Sequence, residues 1–325
     1  MTTLITGGAG FCGINIAHAL LSRGETVVLY GLETLSGAPL ATLQALPGTL
    51  HQSLGDVRDA EALSQAITQH SVQRIVHGAA ITAALEREKT QAATIMEVNI
   101  GGTIQVLEAA LRHGIQRVVQ LSSGAVFGAT VKQDGMLDPD HDTPVPDSLY
   151  GISKLASERI ALRYRQTRGL DVVVLRLGVV FGRWEYDTGL RDTLSIPLNL
   201  SLLAEAGEEA RFIRSLPNDW VYASDVAQGV QKLLAASQCQ RGLYQVATGR
   251  KWSAAQWCER LQSVYPNFRY QIVDNIAQAN IGVPAPTPRP PFAIDHLVNE
   301  HHYRPAFMEE AAFNDYIHWR QSLNA

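Results

Sequence analysis

Short, continuous apolar runs alternate with longer stretches in which apolar residues recur every third or fourth position through residues 1–177. The first pattern predicts strands buried on both faces, the second amphipathic helices packed over them. Leu4-Ile5 and Val27-Val28-Leu29 flank an amphipathic stretch from about Gly13 to Arg23, a βαβ opening. Further strands are predicted over Thr49 to Leu54, Arg74 to Gly78, Gln116 to Ser122 and Asp171 to Leu177. Helices are predicted over Asp59 to His70, Ala92 to His113 and Tyr150 to Arg168. Strands alternating with helices imply an α/β fold, a Rossmann-type doubly wound parallel sheet.

The regularity loosens after Arg176. Residues 219–248, with a helix over Ser224 to Ala236, are expected to return to the Rossmann domain of residues 1–177. Residues 178–218 and 249–325 are then expected to build a smaller, C-terminal substrate-binding lobe, with helices over Ser253 to Val264 and Met308 to Ser322. Between those helices, Val283 to Pro291 holds five prolines in nine residues, which predicts an extended connector.

Composition narrows the chemistry. At 325 residues, 46% hydrophobic, the chain can bury a substantial core. A formal net charge of -4 and no dense Lys/Arg run argue against nucleic-acid partners and anionic membranes. Cys12, Cys239 and Cys258 are few, odd in number and far apart, which suggests no disulfide framework and fits a reducing, cytoplasmic setting. No stretch has the length of a membrane span or the pattern of a leader. His301-His302 lacks an evident third ligand, so no metal is expected.

The run Thr6-Gly7-Gly8-Ala9-Gly10-Phe11-Cys12-Gly13 lies between the first strand and first helix. There Gly7, Gly10 and Gly13 permit a tight turn, approach of pyrophosphate to backbone, and close helix–strand contact; Phe11 and Cys12 open the helix that faces the anion. Where NAD enzymes of this type carry an acid on the ribose, this chain has Tyr30-Gly31, and Glu33 is the nearest substitute. No Lys or Arg lies between Glu25 and His51 to hold a 2'-phosphate, so NAD is expected over NADP. Asp56, in Gly55-Asp56-Val57, is placed to accept a hydrogen bond from the adenine amino group or to cap the next helix. Small residues in His77-Gly78-Ala79-Ala80 let the backbone run beside the cofactor.

Tyr150 and Lys154 stand one helical turn apart, so the ammonium can stabilise a phenolate. An ordinary tyrosine titrates near 10, and the lysine is expected to bring it down. Ser123 ends the fifth predicted strand, at the edge where doubly wound sheets bind ligands, placed to orient a substrate hydroxyl toward Tyr150. Together they imply proton transfer at a hydroxyl while its carbon exchanges hydride with a nicotinamide.

The segments TGGAGFCG, GDVRD, HGAA, NIGGT, SSGAVFG, YGISK, LRLGVVFG and DWVYASDVA run in order over most of the chain. This set resembles the extended short-chain dehydrogenase/reductases, the NAD-dependent sugar epimerase/dehydratase family. The resemblance implies a triad of Ser123, Tyr150 and Lys154, a cofactor contact from Asn99, a carbohydrate-like substrate, and a homodimer through the helices near 92–113 and 150–168. Many nucleotide-sugar members carry Arg before the Asp-Trp-Val-Tyr segment, where this chain has Asn218. Arg289 stands at about the spacing of a second nucleotide-contacting Arg. Members that remove water usually follow the serine with Asp-Glu; here Gly124-Ala125 follows Ser123. Arg183 and Arg191, beside Trp184 and Tyr186, are candidates to clamp a carboxylate or phosphate. These features favour an NAD-dependent dehydrogenase of a small sugar, polyol or sugar acid, with a nucleotide-sugar 4-epimerase as the alternative and a non-catalytic dinucleotide sensor as the least favoured.

Overall fold

A computed structural model describes residues 1–130, 135–186, 191–214, 217–282 and 289–323. Residues 283–288 of the proline-rich run, and Asp187, lie outside the described residues. The strands are β1 (Thr2–Thr6), β2 (Thr26–Gly31), β3 (Thr49–Leu54), β4 (Arg74–His77), β5 (Arg117–Ser123), β6 (Val172–Leu177), β7 (Val179–Phe181), β8 (Ala210–Phe212), β9 (Trp220–Tyr222), β10 (Leu243–Val246) and β11 (Tyr270–Ile272). Seven form one parallel sheet in the order β10-β6-β5-β4-β1-β2-β3. The chain runs outward from β1 to β3, then crosses back to β4 on the other side of β1. Ligands of such sheets bind at that reversal, beyond the strands' carboxyl ends.

Helices cover both faces: α1 (Phe11–Leu21), α2 (Gly37–Gln44), α3 (Ala60–Gln69), α4 (Leu85–Met96), α5 (Gly102–Arg112) and α6 (Leu149–Arg168) in the first half. They are followed by α7 (Ile196–Ala206), α8 (Ala223–Ala235), α9 (Ala254–Val264), α10 (Asp295–His301) and α11 (Glu309–Leu323). The unbroken apolar run of β6 is explained by this layering. Val173 and Leu175 enter a core with Ile14 and Leu20 of α1 and Val226 and Val230 of α8, while Val172 and Val174 enter the opposite core with Leu63, Val106 and Ala161.

The continuous helix expected over Ala92 to His113 is instead α4, which starts at Leu85, a π-helical turn at Glu97–Gly101, and α5. The extra residue in the turn frees the Asn99 carbonyl from the helical ladder, and it accepts the Thr103 hydroxyl at 2.7 Å and the Ser157 hydroxyl at 2.8 Å. Helix α6 starts where Ser148 accepts from the Gly151 N–H, and it ends at Gly169, whose φ of 67° suits a left-handed cap.

A second core is mainly aromatic. Phe181 of β7 is met edge-on by Tyr222, Trp252, Trp257 and Tyr316, so β7, β9, α9 and α11 close around one ring. Pairing of β7 with β9 and of β8 with β11 supplies the remaining strands. Among the described residues no helix is long and apolar enough to cross a membrane.

Candidate active site

The glycine-rich turn lies at the reversal point. Gly7 has φ 68°, and a Cβ there would stand 3.0 Å from Ala79 Cα, so the β1 and β4 loops touch with no room for a side chain. A Cβ on Gly13 would fall 2.5 Å from the Gly7 carbonyl oxygen. Gly10 begins α1 without a side-chain cap, which leaves the first amides of the helix with no side-chain acceptor. A glycine cradle beside an uncapped helix N-terminus fits a pyrophosphate. Phe11 is buried against the core and Cys12 half-buried. Burial pushes the Cys12 thiol up to about 11; Arg191 and Lys154 oppose the shift and Glu185 adds to it.

At the other end of the turn, Glu33 is exposed, and it faces Tyr186, whose hydroxyl donates to the Ala9 carbonyl at 3.1 Å. Tyr30 is buried and donates to the Asp56 carbonyl at 3.0 Å. The Asp56 carboxylate is held below its ordinary range by hydrogen bonds from Arg58, at 2.7 Å, and Arg58 also reaches Glu97. The cap of α3 is Asp59, whose carboxylate accepts from Glu61 and Ala62; Asp56 does not cap it. Val57 is buried against Gly102, and Ala80, next to Ala79, is half-buried. Asn99 locks the loop after β4: it accepts from the Ile81 N–H at 2.8 Å and donates to the Ile81 carbonyl and to Ser153.

Ser123 at the end of β5 and Thr82 lie near the phenol of Tyr150 in the first turn of α6, close enough for both hydroxyls to favour its ionised form. Lys154 is buried one turn along, its ammonium pushed down to about 8 by burial, with Glu158 opposing. Glu158 in turn accepts from Ser122 at 2.5 Å and binds Arg176 through both carboxylate oxygens, while Arg176 lies 4.9 Å from the Phe127 ring centre. The phenol itself departs from expectation. Burial raises the Tyr150 pKa and Cys12 adds to the shift; Ser123, Thr82 and Arg191 oppose it, so desolvation outweighs them and the opposing cation is Arg191 where Lys154 was expected.

Three residues of this site carry no pattern visible in the sequence. Thr82 lies in an irregular loop. Glu88 of α4 accepts from the Leu149 N–H at 2.7 Å and the Tyr150 N–H at 3.4 Å, a cap supplied from another helix. Glu185 is buried, accepts from Ser195 N–H and hydroxyl, and pairs with Arg191 at 2.8 Å. Contacts distant in sequence identify Thr82 and Glu88, and burial identifies Glu185.

The clamp expected of Arg183 and Arg191 is not assembled. Arg183 is tied to Asp315 of α11, which also accepts the Tyr222 hydroxyl at 2.5 Å. Arg191 is at the active-site end, paired with Glu185 and 5.2 Å from the Phe11 ring centre. The two guanidinium groups diverge because each has its own carboxylate. Trp184 packs on Trp319 of α11. Asn218 pairs through its backbone with Trp252, and its side-chain oxygen accepts the Asp219 N–H at 3.0 Å. Arg289 reaches the site: its Nη1 is 2.9 Å from the position a Cβ on Gly124 would take.

Comparison with known proteins agrees with this geometry. Residues 3–247 match the NAD dependent epimerase/dehydratase family. A dTDP-glucose 4,6-dehydratase of Streptomyces niveus is 30% identical over 80% of this chain and 76% of its own. Among solved structures, a dTDP-glucose 4,6-dehydratase from Streptomyces venezuelae with NAD and TYD bound is 26% identical, covering 99% of this chain and 97% of its own with a TM-score of 0.78. The UDP-glucose 4-epimerase of Thermotoga maritima, solved with UDP-glucose, shares the fold with a TM-score of 0.83 at 18% identity and 100% coverage of both chains. With its seven-stranded sheet, its glycine cradle and its Ser-Tyr-Lys cluster, this chain belongs to the NAD dependent epimerase/dehydratase family, enzymes of the extended short-chain dehydrogenase/reductase type.

Proposed function

We propose that this protein inverts a secondary carbinol of a nucleotide sugar by transient oxidation, the reaction of an NAD-dependent 4-epimerase. One observation carries the reading: Ser123 and Thr82 act on the Tyr150 hydroxyl and Lys154 is buried one helical turn along, while Gly124 and Ala125 offer no acid or base. Removal of water needs a general acid and base at adjacent carbons; oxidation of a carbinol needs one proton acceptor.

NAD, when bound, supplies the hydride acceptor. The residues that would hold it are Gly7, Gly10, Phe11, Cys12 and Gly13 at the pyrophosphate, with Glu33, Asp56, Val57, Ala79, Ala80 and Asn99 around it. Ser123 and Thr82 orient the substrate hydroxyl, Tyr150 takes its proton, and the Lys154 ammonium stabilises the phenolate. Burial, with Cys12 adding to it, holds the Tyr150 proton on, and Ser123, Thr82 and the Arg191 guanidinium oppose it.

Asn218 favours a second reading, a dehydrogenase of a small sugar, polyol or sugar acid. It offers no charge to a diphosphate, and its side-chain oxygen already accepts the Asp219 N–H. Incubation with NAD and a panel of nucleotide sugars, sugar acids and polyols separates the two. Isomerised nucleotide sugar without net NADH supports the epimerase, stoichiometric NADH with a small sugar supports the dehydrogenase, and turnover of none refutes both.

A further inference from the structure

The segment that carries Arg289 is anchored with unusual completeness for an irregular stretch. Pro290 and Pro291 restrict its backbone to extended geometry. The Pro291 carbonyl accepts the Leu137 N–H at 2.8 Å, and the Ala293 N–H donates to the Leu137 carbonyl at 3.0 Å. Between them, the Phe292 N–H donates to the buried Asp219 carboxylate at 3.0 Å. That carboxylate also accepts from the Thr248 N–H and hydroxyl and from the Gly249 N–H, which joins the segment to the ends of β9 and β10. Phe292 is buried edge-on to Phe127, 5.6 Å between ring centres, and its tip lies 2.5 Å from where a Gly124 Cβ would stand.

This anchoring puts the Arg289 guanidinium over Gly124, the residue after Ser123. Asp147 is the one acidic group acting on it, and among the described residues it makes no hydrogen bond and no ion pair within 4.0 Å. The other arginines near the site are committed: Arg176 to Glu158, Arg191 to Glu185 and Arg183 to Asp315. A partly buried guanidinium without a partner is costly, and its planar fork matches a carboxylate. Neighbouring Cα atoms are about 3.8 Å apart, so an anion on Arg289 belongs to the same sugar whose hydroxyl meets Ser123. One cation balances one negative charge, which suits a carboxylate better than a diphosphate.

We propose that Arg289, admitted by the missing side chain of Gly124, binds a carboxylate on the sugar being oxidised, so that the substrate is a sugar acid, free or nucleotide-linked. This rests on the reading of Ser123 and Tyr150 as the hydroxyl-binding pair. The test uses the full chain with NAD and calorimetric titration of matched probes: UDP-glucuronate against UDP-glucose, glucuronate against glucose, and glucose 1-phosphate as the phosphate arm.

A charge-assisted contact of about 1.5–3 kcal/mol corresponds to an acid-over-neutral preference of about 10- to 150-fold. Arg289→Met should erase that preference, and Arg289→Lys should restore part of it. In turnover the loss should fall on KM rather than kcat. Equal binding of acid and neutral probes, a preference that survives Arg289→Met, dependence on Arg289 confined to the phosphate arm, or no binding of any acid would each overturn the proposal. Product analysis keeps the two readings apart: acids bound through Arg289 but never oxidised sink the redox reading and leave the anion site standing.

Discussion

Two cations face the reaction site, and they are held in opposite ways. Lys154 sits on α6 inside the Rossmann core, buried, near Glu158, which accepts from Ser122 and pairs with Arg176. Arg289 sits on an irregular segment in the other part of the molecule, anchored through one buried carboxylate, Asp219, and without a hydrogen-bond or ion-pair partner among the described residues. The first arrangement uses its charge for internal order and, in the proposed reaction, assists a proton transfer. The second, in the proposal above, leaves its charge for the substrate, the kind of local difference by which a shared scaffold can take a substrate of its own.

The largest effect should come from the catalytic side. Tyr150→Phe should lower kcat by about 10²–10⁴-fold with NAD affinity kept, checked by turnover and cofactor titration. Near wild-type turnover would remove Tyr150 from its role. Next, Glu158→Gln leaves the buried Arg176 without its carboxylate and should cost about 3–5 kcal/mol of stability in denaturant melts.

Lys154→Met should do the reverse while abolishing efficient turnover. The folded state holds Lys154 near 8 against an ordinary 10.5, so the buried charge is destabilising by roughly 3 kcal/mol, fully below pH 8, and the penalty fades as pH rises toward 10.5. The variant should therefore melt higher than the wild type at neutral pH, with the gain shrinking across that window. A constant gain at all pH values would show that Lys154 is not buried as a cation.

On the other side of the comparison, Asp219→Asn turns an amide N–H toward several donors. It should cost about 1–3 kcal/mol of stability and raise KM for acid substrates while sparing kcat. Arg183→Met should be the smallest change, with KM unaltered, because its guanidinium serves Asp315 and α11. A KM shift from that variant would return Arg183 to the substrate site.

Much of the Rossmann core was readable in advance. The predicted strands from β1 to β6 and helices α1, α3, α6, α8, α9 and α11 appear close to their expected places, because burial on both faces or on one stripe writes itself into residue order. The π-helical turn escaped, since Glu97–Gly101 has an ordinary helical composition and opens only because Asn99 bonds the distant Ile81. Strands β7, β8, β9 and β11 escaped because three-residue strands carry too little pattern. The arginines were the hardest. Which one a carboxylate captures depends on contacts 132 residues apart for Arg183 and Asp315, and residue spacing does not report on such pairs.

By itself, then, the amino-acid order determined what is local: the alternation of strands and helices, the glycine turn that only missing side chains allow, and the one-turn separation of Tyr150 from Lys154. The tertiary structure alone decided what depends on the meeting of distant segments. It brought Thr82 and Ser123 near the Tyr150 hydroxyl, tied Arg183 to Asp315, and left Arg289 over Gly124 with no partner among the described residues. Hydrogen bonds, burial and charge pairing act over a few ångströms in space, whatever the distance along the chain.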